Sequence, residues 1–147
     1  MTTMTNAGRI REFHATMEPA LPTSPITPSL PILEVRKTLI DEEYAEVTAV
    51  FQELITASEQ DEAIDITHLI HELTDLLYVT YGAIQSCGVD PDAVFAEVHA
   101  ANMRKMGGPR RADGKILKPA DWYPANVRGV LTRLRGGDEE QGGGGDL

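Results

Sequence analysis

Apolar positions recur along this chain at the three-and-four spacing of amphipathic helices. Over 31–57, Val35, Leu39, Glu42, Glu46, Val50 and Leu54 fall close to one line at roughly 100° per residue, so two acids stand in an otherwise apolar stripe. A polar stretch over 57–62 is short enough to return the chain antiparallel. The second long helix, expected over 63–86, sets Leu69, Leu73, Leu76 and Thr80 on one face, and Ile66, Ile70 and Leu77 widen it. Gly88 then closes that helix, Asp90 caps the next and Pro91 suits its first position. This third core helix carries Val94, Val98, Ala101 and Asn102 to Lys105 and stops at the Gly107-Gly108-Pro109 break.

The ends are less regular. A short helix is expected over 6–17, with Ile10 and Phe13 as its apolar contacts. Pro19, Pro22, Pro25, Pro28 and Pro31 follow at every third residue, the turn of polyproline II, so the arm should be extended and stiff. Residues 110–122 read as a basic loop with a turn at Asp113-Gly114. A last short helix starts at Pro124 and carries Val127, Val130, Leu131 and Leu134. The glycine-rich acidic stretch 136–147 is expected to be disordered. The division is therefore an N-terminal helix and arm over 1–32, one domain over 33–135 and a tail over 136–147.

Composition supports an all-α class. Aromatics make up 5% of 147 residues, and the 41% apolar content is mostly Ala, Leu, Ile and Val at helical spacing. Three core helices leave a broad apolar face, so a homodimer that completes a four-helix core is expected. Cys87 is the single cysteine and has no internal disulfide partner. No apolar run approaches the ~18 residues of a membrane span, and the first residues lack a signal peptide's basic and apolar regions. The expectation is a soluble, cytoplasmic protein without a membrane partner.

Charge separates along the chain. Residues 104–137 hold nine Lys/Arg and two acids, whereas the rest holds four bases and twenty-one acids, within a net charge of −10. So acidic a body repels a long nucleic acid. An acidic body with a basic segment does suit a metal site that faces a phosphate-binding segment.

The chemistry lies in two acidic clusters. Glu42, Glu43 and Glu46 form an EExxE pattern on the first long helix, and Glu72 and Asp75 lie one turn apart on the second. EExxE alone reads as a solvated face. Carboxylates inside apolar stripes on two neighbouring helices are costly without positive partners. Divalent cations are the economical partner, and four or five carboxylates make a hard oxygen site for Mg²⁺ or Mn²⁺. His68 and His71 flank the acidic pair as hydrogen-bonded neighbours rather than ligands, and His14 and His99 carry no case. Tyr78, Tyr81 and Trp122 suit base stacking less well than core or loop anchoring.

EExxE followed by ExxD resembles the signature of the all-α nucleoside triphosphate pyrophosphohydrolases, which include the MazG-like enzymes, dimeric dUTPases and phosphoribosyl-ATP pyrophosphohydrolases. Ala101-Asn102-Met103-Arg104-Lys105 is similar to that group's downstream Asn/Lys segment. Residues 108–119 look most like the small Deinococcus-type MazG-like dUTP diphosphatases. MazG proteins usually carry Lys-Phe-x-x-Arg at the Asn102 to Lys105 segment, so their wide substrate range is not implied here.

The resemblance implies a MazG-like helical bundle. It makes Glu42, Glu46, Glu72 and Asp75 metal ligands, with Glu43 beside them to hold or deprotonate the attacking water. The implied reaction is hydrolysis of the α–β phosphoanhydride bond, with Mg²⁺ or Mn²⁺ and dUTP as the preferred guess. Lys105, Arg110, Arg111, Lys115 and Lys118 would hold phosphates, and Asn102 phosphate, sugar or base. Phosphoribosyl-ATP, or a broader house-cleaning role, is the sibling reading. Two other classes compete. A di-iron bundle needs paired Glu-x-x-His motifs, which are absent; a non-enzymatic helical interaction module would use the proline arm.

Overall fold

Five helices carry the chain in the computed structural model, which describes residues 3–17 and 20–141, with side chains through 136. No strand occurs among the described residues, whose one isolated bridge joins Arg110 and Ile116. The all-α expectation therefore holds. Also among the described residues, no helix is long and apolar enough to cross a membrane. The chain divides into two compact units: Met1–Pro22 with Ile26–Gly88, and Thr23–Pro25 with Val89–Leu147.

The first unit is built on α2 (Leu30–Glu59) and α3 (Thr67–Ser86), with α1 (Asn6–His14) against α3. Contacts pair falling numbers on α3 with rising numbers on α2: Glu43 and Glu46 meet Glu72, and Arg36 meets Gly82. The two helices are therefore antiparallel, as the short polar connection requires. On α2 the covered line runs through Arg36, Leu39, Glu43, Val47, Val50 and Leu54. It is rotated from the expected stripe, and Val35 is exposed because it falls on the flank. Burying Val47 and Val50 contributes roughly 1.5–3 kcal/mol each.

Helix α3 begins four residues later than its pattern implied. Asp65 Oδ1 accepts from Thr67 N at 2.9 Å and from Thr67 Oγ1 at 2.7 Å, an Asx-type turn that fixes the start. Its end is as expected, with Gly88 at φ 69° supplying the left-handed closure. Helix α1 docks through Gln85 Nε2, which donates to the Ala7 carbonyl at 2.8 Å, and through an edge contact of Phe13 with Tyr78 at 5.6 Å. Tyr78 is thus an anchor. The proline arm is non-helical over 20–29, with a bend at 23–24, and Ile26 N donates to the Cys87 carbonyl at 2.9 Å. Pro19 lies outside the described residues.

In the second unit α4 (Pro91–Met103) packs with α5 (Val127–Gln141). Asp90 caps α4 by accepting from Asp92 N at 3.0 Å. Glu97 Oε1 accepts from Asn126 N at 2.7 Å and Asn126 Oδ1 from Gly129 N at 3.0 Å, so α5 starts at Val127 rather than Pro124. Val130 is fully covered. Helix α5 continues through 136–141, residues expected in the tail, whose remainder at 142–147 is outside the described residues.

Candidate metal centre

Three carboxylates converge where α2 faces α3. One oxygen each of Glu43, Glu46 and Glu72 lies within 4.8 Å of the others. Glu43 and Glu46 are neighbours at i,i+3 on α2, and the antiparallel register brings Glu72 opposite them. Glu72 is buried and Glu43 half-buried, and Glu43 Oε2 and Glu72 Oε2 are both covered without a hydrogen-bond partner. Leaving a buried acceptor unsatisfied costs about 1–3 kcal/mol, more when it is charged. The Glu72 carboxyl, followed by Glu43, raises the Glu46 pKa above the ordinary glutamate value. Crowded, orphaned, all-oxygen donors are what a hard divalent cation neutralises, so the group fits Mg²⁺ or Mn²⁺.

Histidines support this group from α3. His68 Nε2 is 2.9 Å from Glu72 Oε1, and His71 Nε2 is 3.1 Å from Asp75 Oδ2. Each holds its carboxylate at i+4, which orients it.

Two expected ligands stand outside the converging group. Glu42 is exposed because the covered line of α2 passes through Glu43 instead. Asp75 is held by His71 on a more open part of α3. Glu43, placed by sequence beside the row, is in it.

The sequence-predicted phosphate-binding residues belong to the second unit. Lys105 Nζ donates to Asn102 Oδ1 at 2.8 Å. Arg111 pairs with Asp113, which raises the guanidinium pKa and lowers that of the carboxyl. Arg110 donates to the Gly114 carbonyl at 3.4 Å, and Lys118 Nζ sits 4.5 Å from the Trp122 ring centre. The Trp122 indole N–H donates to the Ala101 carbonyl at 2.7 Å, so Trp122 anchors its loop. Lys115 N donates to Asp113 Oδ1 at 3.2 Å, closing the turn at Gly114.

The sequence pattern of the phosphoribosyl-ATP pyrophosphohydrolase family matches residues 10–102. The chain belongs to that family. Membership in the phosphoribosyl-ATP pyrophosphohydrolase family makes the chain a pyrophosphohydrolase of the all-α superfamily, and the matched segment covers Glu42, Glu43, Glu46, Glu72 and Asp75. It favours the phosphoribosyl-ATP reading over dUTP, for which the similarity lies in residues 108–119, beyond the matched segment. Among curated proteins no individual sequence matches this chain.

Sequence reasoning passed over two residues of the first unit. His14 is buried, and Arg36 lies beside it at 3.4 Å. Arg36 was legible only as a lone base on the covered line of α2, which the rotated stripe had hidden.

Proposed function

We propose that this protein is a divalent-cation-dependent pyrophosphohydrolase that cleaves the α–β phosphoanhydride bond of phosphoribosyl-ATP, releasing pyrophosphate and the phosphoribosyl nucleotide monophosphate. The observation that carries the reading is the convergence of Glu43, Glu46 and Glu72 within 4.8 Å, with two buried oxygens unsatisfied. The family match supports the substrate class.

In this reading Glu43, Glu46 and Glu72 would hold Mg²⁺ or Mn²⁺, with Glu42 and Asp75 flanking them. The bound cation supplies Lewis-acid polarisation of a phosphoryl oxygen. Glu43 takes the proton of the attacking water, and His68 fixes Glu72 so that the carboxylates need little rearrangement. Lys105, oriented by Asn102, leads the cations that hold the leaving pyrophosphate, with Arg110, Lys115 and Lys118 behind it and Arg111 weakened by its pairing with Asp113. The exposed apolar stripe of α2 through Leu33, Tyr44, Phe51 and Ile55 supports a homodimer.

Pyrophosphate release from phosphoribosyl-ATP, dUTP, dCTP and ATP, each with Mg²⁺ and with Mn²⁺, tests the reading. Phosphoribosyl-ATP should give the highest kcat/KM. A dUTP preference would return the substrate to the reading drawn from residues 108–119, and no release from any of them would end the enzymatic interpretation.

A further inference from the structure

A second polar feature lies away from the carboxylates, in the first unit between the proline arm, the end of α1 and the start of α2. A cavity of about 440 Å³ opens there, within the range of small-molecule sites. Met17, Leu21, Ile26 and Ile32 give it apolar walls, and Arg36 and His14 line it as well. Arg36 is half-buried, and no carboxylate pairs with it among the described residues. Its one bonded neighbour there is His14 Nε2, at 3.4 Å.

The surroundings hold this guanidinium in place. A Cβ built on Gly82 of α3 would meet both an Arg36 terminal nitrogen and His14 Cε1 at 3.0 Å, so the glycine is what lets the two side chains lie against the helix. Arg36 only donates, so its contact with Nε2 of His14 is a hydrogen bond when the imidazole is neutral and Nε2 accepts. Burial, then the charge of Arg36, keeps His14 below its usual pKa, consistent with that neutral form. Desolvation likewise lowers the Arg36 pKa, opposed by the nearby Cys87 thiol. A partly desolvated cation without a counter-ion among the described residues, fixed at the wall of a mainly apolar cavity, is an unfinished ion pair.

We propose that this cavity binds a small organic carboxylate, the carboxyl group on the Arg36 guanidinium and the apolar body against Met17, Leu21, Ile26 and Ile32. A planar guanidinium matches a carboxylate in two parallel bonds. One cation, with His14 and Ser29 beside it and Ser86 Oγ already donating to the Ala83 carbonyl, suits a monoanion better than a phosphate, which recruits several donors. The site is distinct from the carboxylate cluster in residues and in charge, and its occupancy does not depend on the hydrolytic reading.

The test uses the full chain, with hexanoate as probe and hexanol and hexylammonium as neutral and cationic matches, followed by the amide resonances of Gly82 and Ile26. Hexanoate should shift both and saturate at least tenfold below hexanol, with hexylammonium weakest. Arg36→Met should erase the preference for hexanoate, and Ala20→Trp, which fills the cavity from the arm, should remove binding while the helical circular dichroism is unchanged. Equal saturation by hexanoate and hexanol in the unmodified chain would overturn the proposal whether or not the Arg36 variant folds. Hexanoate binding that appears only after Glu18→Gln would overturn it too, because the counter-ion would then be the chain's own.

Discussion

Glu46 on α2 stands with a carboxylate oxygen within 4.8 Å of one of Glu72 on α3, and Glu72, ahead of the charge of Glu43, lifts the Glu46 pKa above its ordinary value. The folded chain therefore holds a proton there that the unfolded chain releases near pH 4.5. The corresponding stability is complete below that value and is lost as pH rises through the folded pKa. At neutral pH without metal the cluster is a liability. Glu46→Gln should then raise the melting temperature in EDTA at pH 7, with the gain shrinking toward pH 4. Mg²⁺ should stabilise the unmodified chain and stabilise Glu46→Gln much less. Differential scanning fluorimetry across pH and metal checks both; an unmodified chain indifferent to Mg²⁺ and Mn²⁺ contradicts the metal centre.

The two adjacent glutamates should separate kinetically. Glu43 lies in the converging group and Glu42 is exposed, so Glu43→Gln should lower kcat by ~10² or more, the scale of a lost general base. Glu42→Gln should cost less than about tenfold, the difference between a flanking carboxylate and the proton acceptor. Steady-state pyrophosphate release measures the ratio, and a reversed order would restore the ligand row read from sequence.

His14 gives the fold an acid limit. Burial and Arg36 hold its pKa below 6.5. The unfolded chain takes up its proton near 6.5 and the folded chain only at lower pH, so this stability is complete above about 6.5 and is lost as pH falls toward the folded value. Urea unfolding at pH 8, 6 and 5 should show a steeper loss for the unmodified chain than for His14→Gln. Parallel slopes would mean that the imidazole charges as freely in the fold as in water.

Tyr44 and Phe51 stand exposed, by 63% and 43%, on a stripe a quarter turn from the face that meets α3. In the proposed homodimer a second copy would cover that stripe, and Phe51→Lys would then be disruptive through a desolvated charge. Light scattering should report a dimer for the unmodified chain and a monomer for the variant. A monomeric unmodified chain at working concentration contradicts the dimer.

The basic residues should differ, with Lys105 leading as its place in the Asn/Lys segment implies. Asp113 already holds Arg111, whereas Lys105 is oriented by a neutral amide, Asn102. Lys105→Met should raise KM at least tenfold, as loss of a charge-assisted hydrogen bond worth about 1.5–3 kcal/mol implies, and Arg111→Met less than threefold. Initial-rate kinetics decide it, and equal effects would show that the Asp113 pairing is released when substrate binds.

Helical periodicity made α2, α3 and α4 legible, and the Gly88, Asp90 and Pro91 punctuation placed the α3 to α4 boundary, because those signals act within one turn of backbone. The α3 start was misread for the same reason in reverse. Ile64 and Ile66 continue an apolar pattern, while the Asp65 to Thr67 side-chain turn sets the boundary. On α2, six positions near one line did not reveal which edge of the stripe would be covered, and a modest rotation exchanged Glu42 for Glu43.

The sequence by itself determined that acids would stand inside apolar helices and that a short polar turn would fold one helix back on the other, since spacing and composition are local properties. Only the tertiary structure decided which carboxylates meet and that Arg36 lies beside a cavity without a described counter-ion. Those facts depend on helix rotation and on distances between residues far apart in the chain, which no local pattern encodes.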